Sequence, residues 1–411
     1  MELFFNVSPH EGEISVYAKY TRADVSMPHF YINRDAALES IICDERETNT
    51  EVKLVYHPML QSDGYMVNKV TIPPFNKCFE IRYRLKLTGE TGAWPYVKEK
   101  ITPEFSLLRF ETFCYPMFFE DWESFRKPGF KTWDAKITVP EGFTAIPAVS
   151  TEESSAFFNC AIAPYEHMSF SFGQVYFLPT IAKNKRQMVE KAMEFAFSYM
   201  NKHFGQRDSQ KTTFAAIPSG FGSFALRDNR TIFVVESAFD THEDLASVVH
   251  EFIHLDWNAN PKDSIIRARF FDEAFTSYFE NRVMNEFLKE ISEQGYNYNR
   301  RKIQEVITAI KNGEYEIVPI CKFGEMEYGD LSYSIGALCM EELYTLLGER
   351  LFDEATAAFL AEYKETPADF EDFCEFYKKF CGEEYKSKLT RFFEKWIYSS
   401  EGLECLINSY L

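Results

Sequence analysis

The sequence predicts an α+β chain, with a β-rich first part followed by an almost wholly helical second part. Three observations carry that expectation. Early segments alternate apolar and polar residues with period two. The pattern changes near Leu178-Pro179-Thr180. From Asp240 onward apolar residues recur at helical spacing. The expected division is residues 1–180, an antiparallel β-rich, saddle-like domain, and residues 181–411, completed by the helices from about residue 350.

In the first part, Glu13 to Tyr20, Val52 to Tyr56, Phe79 to Leu87 and Trp133 to Val139 read as strands. Ile72-Pro73-Pro74 and Pro140-Glu141-Gly142 are among the breaks between them. Such alternation gives a sheet with one buried face. Past residue 180, Arg186 to Phe204 reads as a helix with Met188, Ala192, Phe195, Ala196 and Tyr199 on one side. Thr213 to Ile217 and Ile232 to Val235 read as strands of a small sheet. Between them lies Ser219-Gly220-Phe221-Gly222-Ser223, which lacks the Lys-Ser/Thr ending of a phosphate loop. Its glycines suit either a plain turn or the approach of a peptide backbone to an edge strand. Helices are expected over 242–259, 272–293, 299–312, 331–347, 350–363, 368–380 and 384–398.

Composition narrows the function. The 411 residues are 45% hydrophobic and 17% aromatic, with 41 Phe, which supplies large cores and excludes a disordered chain. A net charge of −19 argues against nucleic acid and anionic membrane surfaces as partners, because both require basic patches. No apolar run reaches membrane-spanning length, and the N-terminus has neither a basic region nor an apolar core of signal-peptide type. Nine scattered cysteines, an odd count, read as reduced thiols of a cytoplasmic protein.

The chemistry concentrates at His250-Glu251-Phe252-Ile253-His254. Histidines at i and i+4 share one helix face and can reach one metal ion, and Glu251 is placed to act as general base on a metal-activated water. Glu273 can supply a third ligand from a second helix. Three protein ligands with a fourth position open is the catalytic arrangement of zinc, one ion per chain. Thr241 and Asp244 resemble a capping box that starts the motif helix. Glu280 lies two turns from Glu273 on the same face. It reads equally as a carboxylate orienting a ligand imidazole and as a solvated helix residue.

These residues resemble the gluzincin metallopeptidases, and within them the alanyl/leucyl aminopeptidase and leukotriene hydrolase family. His250 to Asn260 reads H-E-F-I-H-L-D-W-N-A-N, and Asp272-Glu273-Ala274-Phe275 with Tyr278 and Glu280 is similar to the family's N-E-G-F segment. Tyr333-Ser334-Ile335-Gly336-Ala337 is similar to its Y-x-K-G-A, and Phe392 to Trp396 with Gly402 to the close of its catalytic domain. The resemblance implies a thermolysin-like catalytic domain, a peptide substrate and a Tyr333 hydroxyl that stabilises the tetrahedral intermediate. It also implies substrate contacts from Gly222, Ser223, Phe224 and Ala225, with Glu111 as a second acidic group for the substrate amine.

The departures are specific. Ala225 stands where the family's G-x-M-E-N segment has the glutamate that grips the substrate α-amine, and the nearby Asp228 is offset by two to three residues. Ile335 replaces a lysine and Asp272 an asparagine. The chain ends where the family continues into a helical domain, which leaves the site either less enclosed or closed by a partner or oligomer. The expected function is an aminopeptidase-like zinc peptide hydrolase with altered N-terminus recognition. An endopeptidase and a non-catalytic peptide-binding scaffold are the alternatives, and epoxide hydrolysis, known in one branch of the family, is a third.

Overall fold

A computed structural model describes residues 2–25, 27–57, 65–87, 101–120, 122, 134–147, 149–150, 159–170, 173–205, 212–227, 230–259, 269–291, 298–323, 331–364 and 366–409. It has the expected class, with β-rich sheets first and helices after. Two compact units are formed. One is Met1–Lys183 with Gln210–Ser237, the other Asn184–Ser209 with Ala238–Leu411.

In the first unit the largest sheet has seven strands. Their order is Val149–Ser150, Asp134–Thr138, Glu2–Ser8, Glu13–Thr21, Cys78–Lys86, Ala36–Cys43 and Arg46–Glu47. The alternation in Glu13–Thr21 does what period two requires: Ile14, Val16, Ala18 and Tyr20 are buried and their neighbours are not. Tyr20 packs on Phe79 and Phe118, with ring centroids 5.8 and 4.9 Å away. The Tyr83 hydroxyl donates to the Cys114 carbonyl at 2.9 Å, so a large buried aromatic keeps its polar end satisfied. Two three-stranded sheets complete this region. The expected strand at Trp133 to Val139 is observed as Asp134–Thr138, and Trp133 lies outside the described residues.

A mixed five-stranded sheet has the order Glu166–Phe170, Gly173–Phe177, Thr212–Ile217, Thr231–Val235 and Phe224–Leu226. Its three middle strands are parallel and its outer ones antiparallel. Gly173 is required there: a Cβ would lie 1.9 Å from the Thr212 carbonyl oxygen. The division expected at residue 180 follows the change of sequence periodicity, whereas strand pairing continues across it, Gly173–Phe177 with Thr212–Ile217.

The second unit is helical. Its helices are α1 (Lys183–Phe204), α2 (Ala246–Ile253), α3 (Phe275–Ile291), α4 (Tyr298–Lys311), α5 (Ala337–Leu347), α6 (Glu349–Glu362), α7 (Phe370–Cys381), α8 (Glu383–Phe393) and α9 (Glu401–Ser409). The helix expected over 242–259 is shorter. Thr241 Oγ1 accepts from the Asp244 amide at 3.2 Å, which makes a turn ahead of α2, and the chain leaves the helix after Ile253 through a tight turn. The segments expected as helices over 331–347 and 384–398 contain the π-helical turns Ser332–Gly336 and Glu394–Tyr398, and the one expected over 272–293 begins within a third, Phe270–Ala274. The buried face of α1 is also rotated from the expected one. Val189, Ala192, Met193, Ala196 and Met200 are buried, while Phe195 and Tyr199 are half-buried, the Tyr199 hydroxyl accepting from Arg282 Nε at 3.2 Å. Asp353 of α6 braces this region, receiving Arg282 Nη1 at 2.5 Å and Nη2 at 3.2 Å with His203 Nδ1 at 2.9 Å.

An aromatic cluster backs the first π-turn. Phe373 is fully buried, with its ring 5.6 Å from Phe270, 5.9 Å from Phe271 and from Phe275, 5.4 Å from Phe359 and 5.6 Å from Phe393. These rings hold Phe270–Ala274, and with it Glu273, in a fixed place. Phe373→Ala should cost about 3–5 kcal/mol of stability. Chemical denaturation of the two proteins checks it, and a loss under about 1 kcal/mol would show that the cluster does not support this region.

Candidate metal centre

Helix α2 is apolar except for Ser247 and the motif. Val248, Val249, Phe252 and Ile253 are buried around His250, Glu251 and His254, which are themselves 9%, 8% and 8% exposed. One helical turn brings His250 Nε2 and His254 Nε2 to 3.1 Å. Glu273, from the π-turn, places Oε2 3.1 Å from His250 Nε2 and 3.3 Å from His254 Nε2. Ligands 2.0–2.2 Å from a tetrahedral ion stand about 3.4 Å apart, so these three atoms have the spacing of a metal's ligand triangle. Three electron-pair donors facing one point out of water need a cation or shared protons between them.

The outer nitrogens explain why the inner ones converge. His250 Nδ1 is 2.8 Å from Glu280 Oε2, and His254 Nδ1 is 2.9 Å from Asp272 Oδ1. A carboxylate on each Nδ1 fixes the proton there and leaves each Nε2 lone pair for a metal. Asn258 Nδ2 donates to the same Asp272 oxygen at 2.5 Å. The π-turn lets the consecutive Asp272 and Glu273 reach opposite nitrogens of one imidazole, which is the placement role such turns often have. Burial disfavours charge on the imidazoles, but their carboxylate neighbours outweigh it. His250 is pushed up to about 9, and His254 is held well above the usual histidine range by Asp272 and Glu273. Burial lifts the Glu251 carboxyl to about 7, against the pull of His254 and His250.

Tyr333 lies on the second π-turn, 44% exposed, with its ring 5.8 Å from that of His250 and nearly parallel to it. Partial desolvation and the Glu273 carboxylate raise its pKa above the ordinary phenol value, which keeps the hydroxyl protonated. The two π-turns touch at Gly336, where a Cβ would lie 2.6 Å from Ala274 Cβ and 3.4 Å from the Phe270 ring.

Gly222, Ser223, Phe224, Ala225 and Glu111 belong to the first unit, the triad to the second. Ala225 is the middle residue of Phe224–Leu226, opposite Ile232. Ser223 Oγ accepts from the Val235 amide at 3.1 Å. Glu111 is 6% exposed and held by Arg109, Nε to Oε2 at 3.0 Å and Nη2 to Oε1 at 2.6 Å. The same guanidinium stands 4.3 Å over the Phe224 ring. Sequence reading missed Arg109, Asp272 as a partner of His254, and Arg269 beside Glu273. The adjacency of Asp272 to a candidate ligand was the one available signal. Asn260 and Asp228 lie outside the described residues.

Gly336→Ala forces Ala274, one residue from Glu273, to move. We expect the folded variant to bind zinc at least about tenfold more weakly in a chelator competition. Unchanged affinity would show that the Gly336 contact does not set the triad.

No curated protein sequence matches the chain. Residues 219–396 match the peptidase family M1 domain. Among solved structures, native yeast leukotriene A4 hydrolase superposes with a TM-score of 0.63 at 16% identity, covering 97% of this chain and 67% of that one. The yeast enzyme in complex with bestatin gives 0.62 at 14%, with the same coverage. An M1 zinc metallopeptidase variant from Deinococcus radiodurans gives 0.57 at 14%, covering 95% of this chain and 92% of that one. At such identities the structural likeness is one of fold. In sequence over residues 219–396, and in fold over nearly its whole length, this chain resembles the M1 metallopeptidases.

Proposed function

We propose that the protein is a zinc-dependent peptide hydrolase, aminopeptidase-like but with altered recognition of the substrate N-terminus. The observation that carries this reading is the convergence of His250 Nε2, His254 Nε2 and Glu273 Oε2 within 3.3 Å of one another, with carboxylates on both outer nitrogens. Imidazole and carboxylate donors in this number suit zinc, and they would hold one ion. When bound, zinc lowers the pKa of a coordinated water to about 7 and polarises a carbonyl.

The remaining work falls to the chain's own residues. Glu251 receives the proton of the attacking water and passes it to the leaving amine. It directly follows the ligand His250 and is 8% exposed, which places a carboxylate beside the metal position and largely out of bulk water. Tyr333, kept protonated, donates its hydroxyl to the developing oxyanion. Glu280 and Asp272 orient the two imidazoles. Gly222, Ser223, Phe224 and Ala225 offer an edge strand for an extended peptide. We infer a cytoplasmic setting, supported by nine free cysteines. No described helix is long and apolar enough to cross a membrane.

The altered recognition rests on two positions, 225 and 111, where the resemblance places acidic groups. Ala225 carries no carboxylate, and the Glu111 carboxylate is engaged by Arg109. A charged hydrogen bond to the substrate amine would be worth about 1.5–3 kcal/mol, and its loss removes roughly ten- to hundredfold discrimination. These observations favour internal cleavage as the second reading.

Glu251→Gln should retain zinc while hydrolysis falls at least about 100-fold, measured by metal analysis and a peptide-library digest. Wild-type turnover by that variant would refute the mechanism. Matched peptides with free and acetylated N-termini should be cleaved within about tenfold of each other, and a strong preference for the free form would contradict the recognition claim.

A further inference from the structure

Arg269 immediately precedes the first π-turn and touches both functional groups that the two π-turns carry. Its Nη2 contacts Glu273 Oε1, the oxygen that faces away from the histidines. Its guanidinium carbon lies 5.5 Å from the centre of the Tyr333 ring. The side chain is 36% exposed, while that of Glu273 is 4% exposed. We propose that Arg269 is a positioning residue: one guanidinium fixes both the third metal donor and the tyrosine.

The reason lies in the freedom each partner would otherwise have. Rotation about the last bond of a glutamate is soft and nearly two-fold, so either oxygen of Glu273 could face the histidines, or both could. A donor on Oε1 removes that choice and leaves Oε2 as the single inward atom, 3.1 Å from His250 Nε2 and 3.3 Å from His254 Nε2. Tyr333 is half open to solvent and lies on a different segment. A cation over its ring face anchors it to the same side chain. A cation at the start of a helix is disfavoured by the helix dipole, so Arg269 needs a local compensation, which Glu273 and Tyr333 supply. Only a planar, forked cation serves both partners. Lysine offers a compact point charge that cannot grip a carboxylate and stack on a ring together. Loading the metal and placing the tyrosine are thereby linked through one residue. The Tyr333 half of this proposal rests on the hydrolase reading, and the Glu273 half does not.

The test uses the full chain with Arg269→Ala and Arg269→Lys, each checked for wild-type thermal unfolding. In a chelator competition, R269A should raise the zinc Kd about 10- to 100-fold. Millimolar guanidinium should recover most of that loss, and R269K should recover little. In hydrolysis, the kcat loss of R269A should shrink in a Tyr333→Phe background, because the two changes break one linkage. A folded R269A with wild-type zinc Kd, or with a loss that guanidinium leaves unchanged, overturns the clamp on Glu273. Fully multiplicative effects of R269A and Y333F overturn the link to the tyrosine. If R269A does not fold, a wild-type zinc Kd for R269K overturns the requirement for the fork. Zinc affinity is read without turnover, so failure here is distinct from failure of the hydrolase reading.

Discussion

Everything in the helical unit turns on a cost that only a cation or shared protons can offset. Glu251, Glu273 and Glu280 are 8%, 3% and 4% exposed, and His250 and His254 stand among them. Removing that many ionisable groups from water is strongly unfavourable unless each finds a partner. His250, His254, Glu273 and Glu280 do, in a chain that runs from Glu280 through His250 to Glu273, and from there through His254 to Asp272, while burial raises the Glu251 carboxyl. The chain of contacts has one internal point on which donors converge from three sides. The surrounding aromatic packing keeps that point fixed, because Phe270, Phe271 and Phe275 are locked against Phe373 and Phe359 on the far side of the π-turn.

The π-turns are the local device by which the helices meet this demand. A regular helix through Phe270–Ala274 would not aim two consecutive carboxylates at opposite nitrogens of His254. The turn at Ser332–Gly336 brings Tyr333 beside His250 only because Gly336 lets it lie against Ala274. The two turns depend on each other, and Arg269 adds a second tie between them. In the first unit the polar groups are arranged to a different end. Arg109 pairs with Glu111 and stands over the Phe224 ring of the edge strand.

Much of this was legible in the sequence, for reasons that also mark the limit. His250 and His254 could be paired because i and i+4 share a helix face whatever the tertiary structure. Strands such as Glu13–Thr21 were visible because a half-buried sheet writes its period directly into residue order. The π-turns were invisible, since one extra residue per turn leaves no compositional trace and reads as ordinary helix. Arg269 and Asp272 were missed for a related cause: their roles come from where the π-turn aims them. The pairing of Glu111 with Arg109 spans only two residues, yet the arrival of Phe224 against that pair depends on the sheet. Thr241 and Asp244, expected to cap the motif helix, instead make a turn ahead of it, and α2 starts at Ala246 with no side-chain cap.

His250, His254 and Glu273 are proposed to hold one zinc ion. X-ray absorption at the zinc edge on the purified 411-residue chain tests this most directly. One zinc per chain is expected, with nitrogen and oxygen neighbours at about 2.0–2.2 Å, and loss of that signal in a His254→Ala variant. A sulfur-dominated shell near about 2.3 Å would place the metal on cysteines, and a zinc signal unchanged in the His254→Ala variant would place it elsewhere. Either would contradict the reading of this site.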